Sequence, residues 1–303
     1  MLKGLIKKSL TISLAATVLL ASMPASATST SFDAANQPLS FFAQGDGVAD
    51  VLSGADASTA PFRYENVITI AGTRIDAIVT LVQLQNSTSV SNASNNKLAR
   101  LDNTNISSTE SQANEIESNF RNYAANDTEG FAIFDVQFVL GGTNQAVTLS
   151  NVALTVADID NNQFVQFSGL SSYKRSSTLD VSDGTNNVSV SSRVTPVTGN
   201  SSITTSRNTS VPVSVPDGSV MFFASQGSGD YQDRTPPAAD SDDLFVVQVN
   251  FTSVSTLRAK MGSFSNSSAN LDFSFAPFGN FSAVAPVTVT QPSFTVTYDA
   301  NTG

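Results

Sequence analysis

Phe131 to Leu140 reads FAIFDVQFVL. Phe134, Val136, Phe138 and Leu140 fall on one side of an extended chain, and Asp135, Gln137 and Val139 on the other. A period of two with one apolar face marks a half-buried strand of an antiparallel sheet. The pattern recurs outward from this stretch. Phe245, Val247, Val249 and Phe251 alternate with Val246, Gln248 and Asn250, and Leu271, Phe273 and Phe275 alternate with Asp272 and Ser274. RYENVITIAG and TRIDAIVTLVQL, from Arg63 to Leu84, form a predicted hairpin connected through Ala71-Gly72-Thr73. In QAVTLSNVALTVADID, Val147 and Leu149 share one parity while Val152, Leu154 and Val156 share the other. That switch predicts a bulge or tight bend near Ser150-Asn151.

One segment reads differently. In SSTESQANEIESNFRNYA, Ser107 and Glu110 have capping-box spacing, and Ala113, Ile116, Phe120 and Tyr123 follow a helical stripe. The spacing predicts an amphipathic helix over Ser108 to Ala124. Long polar loops separate the remaining short strands, the longest being QGSGDYQDRTPPAADSDD, from Gln226 to Asp243. The expected fold is all-β: an antiparallel β-sandwich, jelly-roll-like, with that one inserted helix.

The chain begins MLKGLIKKSL, continues through an apolar run to Ala21, and offers Ala25-Ser26-Ala27 as a small-x-small cleavage site. These are the parts of a secretory signal peptide of bacterial type, spanning residues 1–27. The apolar run is short for a membrane span. Cleavage takes away Lys3, Lys7 and Lys8, so 12 basic residues face 25 acidic ones in the remaining 276, a net charge of −13. Nucleic acid is a poor partner for such a surface, and membrane insertion of the mature chain is not expected.

The chain has no Cys, no His and no Trp. A disulfide framework, Ser–His–Asp and Cys–His catalysis, and the usual zinc sites are thereby excluded. Two carboxylates alone can run glycoside hydrolysis. Three of the five Glu, however, fall on the predicted helix, and no convergent set of roles assembles, so no enzyme activity is expected.

ADIDNNQF, from Ala157 to Phe164, places side-chain oxygens at Asp158, Asp160 and Asn162. An EF-hand wants Gly at its sixth position and Glu at its twelfth; here these are Gln163 and Gly169. A looser calcium site, completed by Asp240 and Asp242 of ADSDDLF, is the metal expectation, because calcium takes six to eight oxygens. Asp46 and Asp50 form a further acidic group. The plain alternative is that Asp and Asn serve as turn residues. For a glycan, Tyr231 in the long loop is the candidate ligand-binding platform, with Tyr173 beside Lys174 and Arg175 as another.

Two resemblances add to this reading. FTVTYDANTG, from Phe294 to Gly303, resembles the opening of an internalin-type B-repeat, a β-grasp repeat of bacterial surface proteins; it departs at Thr302, where the repeat usually has Gly. The order of FRYENVITIAGTRIDAIVTL, FAIFDVQFVL, VALTVADIDNNQFVQFSG and DSDDLFVVQVNF resembles secreted bacterial surface domains of the choice-of-anchor type, over about residues 40–280. The resemblance implies a β-sandwich ectodomain displayed at the cell surface. The expected organisation is a signal peptide at 1–27, an ectodomain at 28–285, and a linker with the first strand of a repeat at 286–303, the repeat continuing beyond the sequence. The expected role is non-catalytic, structural or adhesive, with a glycan or a surface protein as partner and calcium as a stiffening ion. The alternative is a carbohydrate-binding module attached to a downstream catalytic region.

Overall fold

The structure, a computed structural model, describes residues 30–39, 51–53, 61–89, 97–101, 115–122, 125–157, 159–175, 179–182, 187–190, 193–225, 246–265, 268–274 and 284–293. Its strands are numbered β1 to β21 along the chain. One sheet runs β2 (Val51–Ser53), β6 (Lys97–Leu101), β7 (Glu115–Asn122), β20 (Ser268–Ser274), β9 (Val147–Ala157), β18 (Val247–Val254), β11 (Ser172–Arg175), β21 (Val287–Thr288). Beside that path β1 (Thr30–Asp33) pairs with β9, and β5 (Ser87–Ser89) pairs with β7. The second sheet runs β14 (Thr195–Val197), β17 (Ser219–Ala224), β10 (Gln163–Ser168), β19 (Thr256–Ser263), β8 (Gly130–Leu140), β4 (Thr73–Gln85), β3 (Phe62–Ile70). Two hairpins stand apart, β12 (Leu179–Ser182) with β13 (Asn187–Val190), and β15 (Gly199–Thr204) with β16 (Ser210–Val215). Pairing is antiparallel throughout except for β1, which lies parallel to β9.

The two large sheets share one core. Phe134, Val136 and Phe138 of β8 meet Val247, Val249 and Phe251 of β18 in a single buried cluster with Ile75, Phe167 and Phe222. This is the alternation expected of FAIFDVQFVL, with Asp135 and Gln137 half-buried on the opposite side. Phe167 and Phe251 cross edge to face at 6.3 Å, as do Tyr173 and Phe222 at 5.1 Å, the geometry that opposes ring edge to ring face. A second cluster lies on the outer side of the β10–β19–β8 sheet. There the β15–β16 hairpin sets Ile203 and Val215 against Phe131, Phe164, Phe223 and Phe264. Gly262 makes that contact possible: a Cβ there would lie 2.4 Å from both the Gly130 carbonyl and the Phe164 ring.

The expected hairpin is present. Ala71 and Gly72 both have positive φ, 49° and 79°, the two-residue turn whose twist matches its strands. The face switch near Ser150-Asn151 is present too, within one continuous strand: Val147 and Leu149 are buried, Val152, Leu154 and Val156 are buried, and Asn151 between them has φ 54°.

The helix expected over Ser108 to Ala124 is not formed by its second half. Residues 115–122 are strand β7, with Ile116 opposite Phe273 and Phe120 opposite Ala269 of β20. A separation of four is even, so it fits one face of a strand as well as one face of a helix. Three strands, β5, β6 and β20, offer β7 backbone partners, and tertiary pairing decides between the two readings. Ala113 and Tyr123 lie outside the described residues, as do the signal segment and the repeat-like stretch 294–303.

The segment expected to be a linker is in part fastened down. Val287 and Thr288 pair with Tyr173 and Ser172 as β21. The Val289 backbone amide then donates to the Ser171 carbonyl at 2.9 Å, and the Gln291 side chain donates through Nε2 to the Leu170 carbonyl at 2.6 Å. Pro292 sits against Gly218, where a Cβ would lie 2.6 Å from the Pro292 ring.

Candidate functional site: the loop end of the two sheets

Strand directions give the molecule two ends. The stretch 284–293 runs out past the start of β11, and β1 begins beside Val147 at the start of β9, so both of these outer segments leave from one end. At the opposite end β9 finishes and β18 begins, with Val156 paired to Val247. Residues 159–162, the last residues of β17, the turn between β15 and β16 and the end of β19 meet there.

The end from which the chain leaves is held by a buried charge. The Asp76 side chain is wholly buried, and each of its oxygens is used twice. Oδ1 accepts from the Asn66 amide at 2.9 Å and faces Arg74 Nε at 3.2 Å. Oδ2 accepts from Arg63 Nη1 at 3.0 Å and from the Gly142 amide at 2.8 Å. Asn66 reaches it because β3 shifts register between Tyr64 and Ile68, with Asn66 at φ 56°. Burial pushes the Asp76 carboxyl up, but the hydrogen bonds from the Asn66 and Gly142 amides and from Arg63, with the charge of Arg74, outweigh it and hold the group below the usual carboxylate range. Arg63 continues to the Thr143 carbonyl at 2.8 Å and Asn144 Oδ1 at 2.6 Å, tying the hairpin to the β8–β9 turn.

The loop end is organised by Asn162. Asn161 and Asn162 have φ of 45° and 67°, and the Gln163 amide donates to the Asp160 carbonyl at 2.6 Å. This is a tight turn with both central residues left-handed, which asparagine tolerates, and it carries the chain from one sheet to the other. The Asn162 side chain, 3 % exposed, donates to Ser206 Oγ at 2.8 Å and Ser265 Oγ at 2.7 Å, and its Oδ1 accepts from the Ser206 amide at 2.7 Å. Its backbone bonds Ala224 and Phe264. Thr205 Oγ1 donates to Asp127 Oδ1 at 2.7 Å, and the Asp127 amide to the Phe264 carbonyl at 2.8 Å. Four chain segments are thereby joined through side chains. Close by, Lys260 Nζ contacts Glu129 at 2.5 Å and lies 4.2 Å above the Phe131 ring.

Of the expected site residues, Asp160 and Asn162 fall in this turn, and both are buried. Asp158, Asp240, Asp242 and Tyr231 lie outside the described residues, as do Asp46 and Asp50. The described residues hold no group of three or more Asp or Glu side chains placed to bind a metal ion. Tyr173 is no surface platform: its ring is buried against Phe222, and burial raises its hydroxyl pKa.

A feature the sequence did not suggest lies beside the loop end. Among the described strands β14 is an edge of its sheet, and a groove of about 450 Å³ separates it from β15. Its lining includes Thr195, Thr198, Ser201, Ser202, Thr204 and Ser225, above Val197, Ile203 and Phe223, and among the described residues no charged side chain. Serine and threonine are so frequent in this chain that only the fold singles these out.

No protein-family model matches the chain, and no curated protein does. Among solved structures, it is similar to the N-terminal domain of the Streptococcus gordonii adhesin Sgo0707, with a TM-score of 0.31 and 12 % identity. The superposition covers 70 % of this chain and 46 % of that one, so the chain spans a little under half of that structure.

Proposed function

We propose that this protein is a secreted bacterial surface ectodomain, a non-catalytic β-sandwich module with a structural or adhesive role. The observation that carries the reading is its polarity. The described outer segments, β1 and 284–293, leave at one end, braced by Asp76, while loops tied by Asn162 gather at the other. A module so built presents its loop end to a partner while the other end connects to the rest of the chain. The signal-like segment at residues 1–27 supplies the route outward. The absence of cysteine and histidine from the sequence agrees with a scaffold that has no triad or thiol chemistry.

Calcium is the stiffening ion of this reading. Its support is the pairing of Val156 with Val247, which starts the stretches bearing Asp158 and Asp242 from neighbouring strand ends. Asn162 contributes little to that site, since its side chain is already hydrogen-bonded to Ser206 and Ser265. A carbohydrate-binding module is the second reading, favoured by the uncharged groove between β14 and β15.

The test is to tag the chain in its producing cells and locate it. We expect a mature N-terminus at Thr28 by mass spectrometry and removal of the protein from intact cells by external protease. Retention in the cytoplasm with residues 1–27 intact sinks the reading. For calcium, the thermal midpoint in millimolar calcium should exceed that in EDTA, because an ion bound only by the folded state stabilises it. Equal midpoints remove calcium and leave the ectodomain standing.

A further inference from the structure

We propose that the groove between β14 and β15 binds a neutral oligosaccharide. The proposal rests on the ectodomain reading and adds to it the ligand class and its place. The groove holds about 450 Å³, within the usual range for small-molecule sites, which are mostly more apolar than this one. None of the hydroxyls of Thr195, Thr198, Ser201, Ser202, Thr204 and Ser225 has a hydrogen-bond partner among the described residues. The floor is apolar, with Val197 at 6 %, Ile203 at 4 % and Phe223 at 4 % exposure.

The lining restricts the ligand by elimination. A charged ligand desolvated there meets no countercharge among the described residues, none of whose lining side chains is ionisable. An apolar ligand would strip water from hydroxyls and return no hydrogen bond. An extended peptide adding to the edge of β14 meets Pro196, which has no N–H to give. A pyranose ring suits a hydroxyl-lined groove: its hydroxyls donate and accept, as Ser and Thr do, and Val197, Ile203 and Phe223, only 4–6 % exposed, leave a narrow apolar strip for its C–H groups.

Two further observations extend the case. A second concavity, of about 490 Å³, adjoins the far side of β15 and shares Ser201 and Ser202 with the first. The hydroxyl-bearing surface therefore continues across the strand, and its reach suits several linked sugars. The wall is also preformed. The turn joining β15 to β16 is fixed by the Ser206–Asn162 and Thr205–Asp127 hydrogen bonds, so a ligand does not have to order it.

The experiment applies labelled residues 28–303 to an array of neutral, sialylated and sulfated oligosaccharides. Retention on neutral glycans is expected. Ser201→Tyr, which fills the groove, and Ser202→Arg, which puts a charge in it, should each weaken that binding by about tenfold or more. Both positions are exposed, so the thermal midpoint should stay put. Ser253→Arg, on an exposed position of β18, should bind as the parent does. Neutral-glycan binding unchanged in both groove variants refutes the site while leaving a glycan partner. Retention on charged glycans alone refutes the ligand class. Binding to a surface protein or peptide with no glycan retained refutes the inference and leaves the adhesive reading intact.

Discussion

Replacing Asp76 by alanine tests the account of the braced end. The substitution leaves the Asn66 and Gly142 amides without an acceptor and removes the carboxylate facing Arg63 and Arg74. Asn66 and Gly142 are exposed and their bonds only partly buried, so each lost bond to the carboxylate costs about 1.5 kcal/mol, the low end for a bond to a charged group. Breaking a buried ion pair costs about 3–5 kcal/mol, an upper bound here because water can reach the arginines. Their side chains are 28 % and 44 % exposed, which lets both guanidinium groups rehydrate. The expected loss is thus about 3 kcal/mol at pH 7, dominated by the two amides. In a chain of this length that lowers the thermal midpoint by roughly 6–12 °C. The pH dependence has a definite sign. A carboxyl held below its ordinary value of 3.8 contributes stability that is fully present above that value and is lost as pH falls through the folded value. The gap between parent and Asp76→Ala should therefore narrow below about pH 4. Urea unfolding at pH 7 and pH 3 measures both quantities. An alanine variant within about 1 kcal/mol of the parent at pH 7, the size of an ordinary exposed hydrogen bond, would refute the reasoning. So would a gap that stays constant into acid.

Two further outcomes follow from the same packing. Asn162→Ala removes three side-chain hydrogen bonds and the residue best suited to φ 67°, so it should cost about 2–3 kcal/mol. Amide exchange should quicken at 205–209 and 264–265 ahead of the core strands, and uniform quickening would count against Asn162 as a local tie. Ending the chain after residue 284 removes β21 and exposes the edge of β11, so its thermal midpoint should fall below that of a chain ending at 293. Equal midpoints would show that the segment is a passive linker.

Much of the fold was legible because strand burial has a period of two. FAIFDVQFVL and the Arg63–Leu84 hairpin needed only parity and a turn signal, and the face switch at Asn151 showed as a change of parity. The same parity could not separate helix from strand in EIESNFRN, since its apolar residues stand four apart. Composition alone removed cysteine, histidine and tryptophan chemistry from consideration. Tertiary structure alone decided the rest. Asp76 reads as an ordinary polar position of an alternating strand; its partners come from two other places in the chain, Arg63 and Asn66 from β3 and Gly142 from the β8–β9 turn. Asn162 reads as a possible metal ligand, yet folding brings Ser206 and Ser265 to it from 44 and 103 residues away. The β14–β15 groove owes its character to which of many interchangeable serines and threonines fold around it. Local pattern records what a residue buries and how the chain turns. Which groups a polar side chain meets depends on contacts far apart in sequence, and those exist only once the two sheets have closed on their core.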